Sequence, residues 1–572
     1  MSSSAEVGEG NNCGLQRGLG KTAGQVVYRP NTAAEALSEN GPEYADKVRN
    51  EKLIDELHLN GAFEDPAKNL IREKALDKVE AVLYEWVKDI SEAKGIDFLK
   101  HKYEVCKVVP FGSYCMGVHS SDSDIDVLCI VPLFIDRGDF FADLPGILSK
   151  QEGVAKLHSV PDAFVPVIKF ECDGVDVDLS MARMPYDALP EDLDICLDDH
   201  IKGIKEAKDL TCLNGPRVTL EILHRVPNVE NFLTLLRCLK LWARRRGIYS
   251  NIVGFPGGVA WAIMGAKVCQ LYPNMIPSML LEKFFFLYKN WNFANAILVA
   301  PLEECRAPPG AVYMQAWDPQ RLPPNQWRPM SVITPTYPAA NSTFNSSQST
   351  LSVIAQEVAL AHEISQVFNN GKAQISSLFE PVDFFRLYSN YVQVLVSAPG
   401  LEALKGWYGY VESQLRKLVE KLELDEHAGL KVAHPCTRHF GPHAAGPELW
   451  QVAFFVGLKF DEELVKQMRE QGRSVNLTNP VAEFLQLIDT ESYASNDISI
   501  QVVKKKKLPQ WAKDEYYAGR EGPQVGSVTP AGGGGASQKR RLDEVDGVGR
   551  SESAQSVDGD GEGSPDVAKR AR

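Results

Sequence analysis

The sequence lacks the features by which membrane-spanning and secreted proteins are recognised. The best candidate for a membrane span, residues 254–272, contains Pro256, Lys267 and four glycines, whereas a bilayer-crossing helix needs about 20 predominantly apolar residues. The first thirty residues are polar and glycine-rich, without the apolar core of a secretory signal. The 11 cysteines are scattered and form no C-x-x-C pair. We therefore expect reduced thiols, an intracellular protein and no membrane association.

An excess of positive charge is also lacking. The 572 residues include 61 Lys and Arg against 75 Asp and Glu, which gives a net charge of −14. A generally basic coat for nucleic acid is thereby excluded, and any polyanion site must be a local basic patch. The composition, 44% hydrophobic and 24% charged, is that of an ordinary globular protein. The length exceeds one hydrophobic core and predicts about three domains.

Changes of pattern along the chain divide it into five segments. Apolar residues recur every three or four positions up to Ile90 and predict a helix, and short β-rich runs follow it. A mostly helical region comes next, then a mixture of helices and strands that includes a predicted helix over 401–424. A polar stretch with isolated basic clusters comes last. The expected segments are a disordered 1–35, a sheet-and-helix domain over 36–188, a helical domain over 189–365, an α+β module over 366–510 and a disordered tail over 511–572.

Two aspartates lie at the start of the most informative β-rich run, which predicts a strand over residues 125–131. Asp124 and Asp126 are two residues apart, so in a strand both carboxylates point to one face, and the following residues 127–131 are apolar on both faces, as in a central strand. Two such carboxylates repel each other unless a cation lies between them, and hard oxygen ligands suit Mg²⁺. An Asp-x-Asp pair alone is more often a solvated turn. The preceding Gly112-Ser113, which lets the backbone approach a phosphate, favours a metal and nucleotide site instead.

A third carboxylate would complete a two-metal site. Asp173-Gly174 is a strong hairpin signal, and the strand after it carries Asp176 and Asp178, which share a face. Periodicity does not choose between these two aspartates. A solvent-facing acidic pair on an edge strand is the alternative.

Several longer strings in the same order carry a family resemblance. They are Phe111-Gly-Ser-Tyr, Gly117-Val-His, Ser123-Asp-Ile-Asp126, Pro161-Asp-Ala-Phe-Val-Pro-Val-Ile-Lys169, Leu213-Asn-Gly215, Leu239-Lys-Leu-Trp-Ala243 and Ile248-Tyr-Ser-Asn251. From about residue 40 to residue 510 the chain closely resembles the eukaryotic nuclear poly(A) polymerase family, within the DNA polymerase β-type nucleotidyltransferase superfamily.

This resemblance implies a fold and a reaction. The fold would be α+β and multidomain: a polymerase β-like nucleotidyltransferase domain over 36–188 with the N-terminal helix of the central domain, a helical central domain, an RNA-recognition-motif-like RNA-binding domain and a disordered tail. The reaction would be template-independent transfer of AMP from ATP to the 3′-hydroxyl of RNA. Asp124, Asp126 and Asp178 would hold two Mg²⁺ or Mn²⁺ ions, so the resemblance selects Asp178. A terminal uridylyltransferase and a non-catalytic RNA-binding scaffold are the alternatives.

The helix predicted over residues 231–246 supplies cations for a triphosphate. Arg237, Lys240 and Arg244 are spaced by three and four residues and form one basic stripe. A solvated charged face is an equally weighted alternative from spacing alone. The resemblance assigns nucleotide binding to Phe111, Gly112, Ser113, Ser120, Asp124, Ile125, Asp126, Asp178, Asn214, Lys240, Tyr249, Asn251, Gly258 and Val259.

For RNA, the resemblance points to Phe164 and Lys169 near the primer 3′ end and to Asn345. Lys505 and Lys506, within a run of four lysines, either contact phosphates or form a solvated or localisation segment. The expected partners are ATP, the RNA 3′ end and cleavage and polyadenylation factors, and a monomer is expected. Basic clusters at 539–541 and 569–570 suggest nuclear localisation.

Overall fold

The computed structural model describes residues 35–96, 105–302, 310–318, 321, 327–490, 493 and 495–518. Most of the segments expected to be disordered, 1–34 and 519–572, lie outside the described residues. In chain order the elements are α1 Tyr44–Leu59, α2 Pro66–Ala93, β1 Lys107–Phe111, α3 Gly112–Cys115, β2 Ile125–Val131, α4 Arg137–Ala142, α5 Leu144–Leu148, β3 Val154–Val160, β4 Val167–Cys172, β5 Val175–Arg183, α6 Asp198–Ile201, α7 Ala207–His224, α8 Val229–Arg245, α9 Gly258–Leu271, α10 Pro277–Lys289, α11 Gln348–Asn369, α12 Phe384–Leu387, β6 Asn390–Pro399, α13 Leu401–Leu424, β7 Leu430–Pro435, β8 Phe440–Ala444, β9 Leu449–Phe460, α14 Glu462–Glu470, α15 Thr478–Gln486, β10 Asp497–Lys504 and α16 Gln510–Ala518.

A five-stranded sheet in the order β1-β2-β5-β4-β3 forms the first part of the molecule. Strands β2 and β5 are parallel neighbours, and the other pairs are antiparallel. Alternate residues of β2 enter two different cores: Val127 and Cys129 pack with α2, whereas Leu128 and Ile130 pack on the face covered by α7. The prediction of a central strand that is buried on both faces is confirmed.

The long helix α2 forms because its start and its apolar face are both specified locally. Asp65 precedes it and accepts a hydrogen bond from the N–H of Ala67 at 2.8 Å, and Pro66 occupies the first position. Its buried side includes Leu76, Leu83 and other residues spaced by three and four. Between the inner strands β4 and β5, Asp173 and Gly174 both have positive φ, as the predicted two-residue hairpin requires.

Helices α8 to α11 form a large part of the largest core, which α1 joins through Leu53 and Leu57 and which continues into β6, β9 and α13. The predicted helix over 231–246 is confirmed as α8, and Gly247 after it has a φ of +67°. No helix among the described residues is both long and apolar enough to cross a bilayer. The expected boundary at residue 365 falls inside α11, which continues to Asn369.

Apart from the added strand β8, and with α14 and α15 together as the second helical segment, the third part has the β-α-β-β-α-β order of an RNA-recognition-motif-like domain. Its sheet runs β10-β6-β9-β7, with β8 added beside β9, and α13 packs on one face through Leu404 and Trp407. The expectation of a disordered tail from residue 511 is wrong at its start, because residues 510–518 form α16. This helix buries Ala512 and Tyr516 against the other face of the sheet.

Candidate active site

Three carboxylates meet at one end of the first sheet. Asp126 is the second residue of β2, and it is the direct neighbour of Asp178 in the parallel ladder with β5. Asp124 lies two residues earlier, ahead of the strand. The three side chains offer oxygen atoms that all lie within 4.8 Å of one another, and no other such group of three occurs among the described residues. Asp176, the competing candidate, is exposed and stands opposite Glu171.

The electrostatics of this cluster favour a cation. Burial and the neighbouring carboxylates of Asp124 and Asp178 raise the pKa of Asp126 to about 7. Burial also raises the pKa of Asp178, although the Lys169 ammonium, which contacts Asp178 Oδ2, opposes this shift. Three oxygen donors whose ionised forms are mutually destabilising fit a divalent metal ion such as Mg²⁺ or Mn²⁺.

The backbone between β1 and α3 approaches these carboxylates closely. Gly112 has a φ of +67°, and a Cβ atom there would lie 2.6 Å from Asp126 Oδ2. Its N–H donates to Thr219 Oγ1 of α7 at 3.1 Å. The ring of Phe111 packs on Gly215, where a Cβ atom would lie 2.5 Å from Phe111 Cε2. Only glycine at positions 112 and 215 allows these two close contacts, with Asp126 and with Phe111. Ser113 follows Gly112 in the first turn of α3.

The basic stripe of α8 faces the loop over residues 117–124, which leads into β2. Arg237 donates to the carbonyl of Gly117 and Lys240 to that of Val118, both at 2.6 Å. Arg244 donates to Ser120 Oγ at 3.1 Å. Burial, together with Arg244 and Arg237, lowers the pKa of Lys240 to about 7. Positive charge is thus concentrated beside the aspartates, as an anion-binding site requires.

A cleft of about 500 Å³ opens between the aspartates and this stripe. Its lining includes Ser120, Asp124, Lys169, Asp178 and Arg244.

The structure also places the other candidate nucleotide residues. Tyr249 packs under the Arg244 guanidinium at 5.1 Å, and burial raises its pKa. A Cβ atom on Gly258, the first residue of α9, would lie 2.8 Å from Tyr249 Oη. Val259 is exposed beside it. The side chain of Ile125 is buried in the core shared with α2.

Two asparagines stand in hydrogen-bond networks. Asn214 Oδ1 accepts from Thr336 Oγ1 at 2.7 Å. The carbonyl oxygen of Asn251 accepts from Asn345 Nδ2 at 2.9 Å, and Asn345 Oδ1 accepts from Arg416 of α13 at 2.7 Å. Both amide atoms of Asn345 are therefore engaged within the protein.

The remaining candidate RNA residues differ in their surroundings. Phe164 is 79% exposed at the tip of the loop between β3 and β4. Lys169 lines the cleft and pairs with Asp178. The exposed Lys505 and Lys506 lie in a turn after β10, where the N–H of Lys505 donates to Ser389 O at 2.9 Å. The turn therefore lies at the edge of the third domain.

Sequence reasoning missed a group of polar residues on α2. Arg72 donates to three carbonyls of the 117–124 loop, and Asn69 Oδ1 lies 2.9 Å from His119 Nε2. Burial and nearby cations, Arg72 first, lower the pKa of His119 to about 4, so the ring is neutral near pH 7. The sequence did contain one signal for this group: Asn69 and Arg72 are polar and three residues apart, so they share a face of a helix that packs through its apolar residues.

Three family models match consecutive parts of the chain. They are the poly(A) polymerase nucleotidyltransferase domain over 33–226, the poly(A) polymerase central domain over 231–381 and the poly(A) polymerase predicted RNA binding domain over 383–446. A relative named poly(A) polymerase PAPalpha, from Candida albicans, is 36% identical over 525 residues, which cover 86% of this chain and 92% of the relative. The chain belongs to the poly(A) polymerase family.

Other members of the poly(A) polymerase family are longer than this chain. Nuclear poly(A) polymerase 1 of Arabidopsis thaliana is 37% identical over 84% of this chain and 66% of the relative. A poly(A) polymerase of Dictyostelium discoideum is 38% identical over 84% of this chain and 59% of the relative. The chain thus spans about three fifths to two thirds of these two relatives. Among solved structures, Cid1 in complex with its short product ApU matches at 15% identity, with a TM-score of 0.40, over 59% of this chain and 100% of that chain.

Proposed function

We propose that this protein is a template-independent polynucleotide adenylyltransferase that transfers AMP from ATP to the 3′-hydroxyl of RNA during mRNA 3′-end polyadenylation. The observation that carries the proposal is the convergence of Asp124, Asp126 and Asp178 in a member of the poly(A) polymerase family. The relatives named poly(A) polymerase support the choice of ATP and RNA as substrates.

In this proposal the three aspartates hold Mg²⁺ or Mn²⁺, two ions in all. Such ions, when bound, lower the pKa of an attacking hydroxyl and stabilise negative charge on the leaving pyrophosphate. The remaining catalysis comes from positioning and electrostatics, because phosphoryl transfer needs no covalent protein nucleophile.

The nucleotide would lie between the Gly112-Ser113 bend and the stripe of α8. The backbone of the bend would approach the triphosphate, and Lys240 and Arg244 would balance its charge. Support comes from the close approach of the Gly112 backbone to Asp126, which a side chain would prevent, and from the hydrogen bond that Arg244 donates to Ser120. Asn214, Asn251, Tyr249 and the first turn of α9 would surround the ribose and base.

The RNA 3′ end would enter from the side of β4. The exposed ring of Phe164 offers a surface on which a base can stack. Lys169, on the cleft wall beside Asp178, would meet a phosphate or the terminal ribose. The lysines of residues 504–507 would contact phosphates further along the strand. Since Asn345 is already bonded on both amide atoms, its proposed RNA contact is the weakest of the set.

A nucleotide-resolved primer extension tests the proposal. Purified full-length protein and a short oligo(A) RNA are incubated with ATP, UTP, GTP or CTP, each with Mg²⁺ and with Mn²⁺. We expect extension with ATP far above the other three, and none with chelator. Asp126→Asn serves as the matched inactive control, because it keeps the size of the side chain and removes the charge.

Other outcomes would replace the proposal. Preferred use of UTP would make the protein a uridylyltransferase, an alternative with less support because the relatives carry the name poly(A) polymerase. Metal-independent retention of RNA without any extension would make it a non-catalytic scaffold.

We further propose a nuclear location, a monomeric state and association with cleavage and polyadenylation factors. The names of the Arabidopsis relatives support the nucleus. Removal of residues 519–572, which contain both basic clusters, should move a fluorescent fusion to the cytoplasm. Unchanged nuclear fluorescence would contradict the assignment of these clusters as import signals.

A further inference from the structure

One of the three metal-site aspartates is not held by the sheet. Asp126 and Asp178 face each other in the ladder between β2 and β5, where backbone hydrogen bonds set their positions. Asp124 precedes β2 and belongs to the 117–124 loop. A site for a divalent ion tolerates little displacement of its ligands, because affinity depends on the geometry of all of them together. Something other than the sheet must therefore fix the direction of Asp124.

Arg72 of α2 makes three hydrogen bonds to this part of the loop. Its guanidinium donates to the carbonyl oxygens of Ser123 at 2.7 Å, Ser121 at 3.0 Å and Ser120 at 3.3 Å. The Ser123 carbonyl belongs to the peptide unit that contains the Asp124 nitrogen, so the bond to Arg72 fixes the plane from which the Asp124 side chain departs. Arg72 is only 4% exposed, and it does not line the cleft.

The surroundings of Arg72 show a built support. Glu64 lies 3.5 Å from its Nε and balances its charge. One turn earlier on α2, Asn69 lies against His119 at the start of the same segment. Within the segment, the N–H of Ser120 donates to Ser123 Oγ at 3.0 Å. The loop is thus held by α8 at residues 117, 118 and 120 and by α2 at residues 119, 120, 121 and 123.

We propose that Arg72 is a positioning residue for the metal site: it orders the loop so that Asp124 points at Asp126 and Asp178. Arg72 lies outside the cleft, so in this proposal it contacts neither substrate nor metal. Its role in adenylyl transfer rests on the proposed function. The planar guanidinium of arginine donates hydrogen bonds to three carbonyls at once. A lysine ammonium is a compact charge on a flexible side chain and would donate to fewer of them. Loss of Arg72 also removes the side-chain donor from the Ser121 and Ser123 carbonyls, whereas the Ser120 carbonyl keeps the N–H of Ser123.

Metal affinity measures this role without depending on the nucleotide used. Full-length wild type, Arg72→Ala and Arg72→Lys are titrated with Mn²⁺, and free Mn²⁺ is followed by electron paramagnetic resonance. Because loss of a residue that orients a ligand typically weakens metal binding by about 10–100-fold, we expect a loss in this range for Arg72→Ala and a smaller one for Arg72→Lys. Lys74→Ala removes an exposed cation two residues away on the same helix and should bind Mn²⁺ as wild type does.

Rescue separates positioning from general destabilisation. Millimolar guanidinium should restore part of the Mn²⁺ affinity of Arg72→Ala, because the cation can occupy the vacated space and donate to the same carbonyls. Binding of oligo(A) RNA without metal should stay within about twofold of wild type, because Arg72 does not line the cleft. A twofold change corresponds to less than about 0.5 kcal/mol. In extension assays the variant should need more metal for half-maximal rate, and its maximal rate should recover with added metal.

Three results would overturn the inference. One is wild-type Mn²⁺ affinity in Arg72→Ala. Another is a loss of affinity that guanidinium does not relieve, accompanied by a lowered melting temperature in Arg72→Lys as well, which would give Arg72 a purely structural role. The third is a wild-type protein that binds no Mn²⁺. Failure of the proposed function is distinct: Mn²⁺ would then bind and depend on both Asp126 and Arg72, while no ATP is incorporated.

Discussion

Gly112 shows how much one residue can decide at the site. Its positive φ and the 2.6 Å that would separate an added Cβ atom from Asp126 Oδ2 leave no room for a side chain. Gly112→Ala should therefore displace Asp126 or the bend itself. Since a displacement of about 1 Å in a catalytic group can cost 10²-fold in rate, we expect a loss of about 100-fold in kcat for AMP incorporation, measured by primer extension.

Gly138→Ala is the matched control for this change. Gly138 lies in α4, and a Cβ atom there would meet nothing within 4 Å. The control should extend RNA as wild type does. Wild-type kcat in Gly112→Ala would show that the site does not need this close approach.

His434 on β7 makes stability depend on pH. It is 2% exposed, Tyr388 Oη lies 2.8 Å from its Nδ1, and burial lowers its pKa to about 3. In the unfolded chain an ordinary histidine has a pKa of about 6.5. Between pH 6.5 and 3 this histidine is protonated in the unfolded state and neutral in the folded state. The free energy of unfolding should therefore fall by up to about 1.4 kcal/mol for each pH unit of acidification in this range.

Urea titrations of wild type and His434→Gln at several pH values isolate this contribution. Glutamine keeps a polar side chain beside Tyr388 and does not titrate, so the decline from pH 6 to pH 5 should be shallower in the variant. His427→Gln changes an exposed histidine and should keep the wild-type slope. Equal slopes in all three proteins would contradict the role of His434.

At the scale of elements, the start of α11 is capped by a side chain from the third domain. Glu423 Oε1 of α13 accepts from Ser347 Oγ at 2.6 Å and from the N–H of Ser349 at 2.7 Å. A carboxylate at a helix N-terminus is favoured both as a hydrogen-bond acceptor and by the helix dipole. We expect Glu423→Gln to lower the free energy of unfolding by about 1–2 kcal/mol, measured by urea denaturation.

Glu426→Gln removes an exposed charge three residues further on and controls for net charge. It should leave the unfolding midpoint unchanged. A midpoint in Glu423→Gln equal to that of this control would show that the contact between α13 and α11 adds no stability.

Elements with a strong local signal are found where the sequence predicts them. Strand β2 has the predicted bounds, because five consecutive apolar residues follow Asp126 and both faces are covered. The helix predicted over 401–424 also matches α13. Strands β3, β8 and β10 were not predicted. Residues 497–502 of β10 alternate polar and apolar, but only Val503 is buried. Pairing with β6 therefore decides the conformation of this strand.

At the scale of the whole molecule, α16 is linked to the central domain by hydrogen bonds through the segment that precedes the third domain. Tyr516 Oη donates to Val382 O at 2.6 Å, and the N–H of Phe384 donates to Tyr516 Oη at 2.8 Å. The N–H of Val382 in turn donates to the carbonyl of Arg245, the last residue of α8. The helix that carries the basic stripe is therefore tied to the C-terminal helix through two hydrogen bonds.

Two truncations test the contribution of α16. A chain ending at residue 518 should keep wild-type stability and activity. A chain ending at residue 509 loses the buried Ala512 and Tyr516 and should be less stable by roughly 3 kcal/mol or more, since removing one large buried aromatic side chain costs about that much. Differential scanning fluorimetry of both chains checks this, and equal melting temperatures would show that α16 is dispensable.

The sequence by itself predicted an α+β multidomain fold and two aspartates of the proposed metal site, because these follow from short-range periodicity and from motifs contiguous in the chain. Asp178 was separated from Asp176 only by family resemblance, and the parallel pairing of β2 with β5 provides the physical reason. The roles of Arg72, Glu423 and α16 were decided by tertiary structure alone. Each depends on contacts between residues about 50 to 130 positions apart, and no local pattern records which distant carbonyl or amide a side chain will meet.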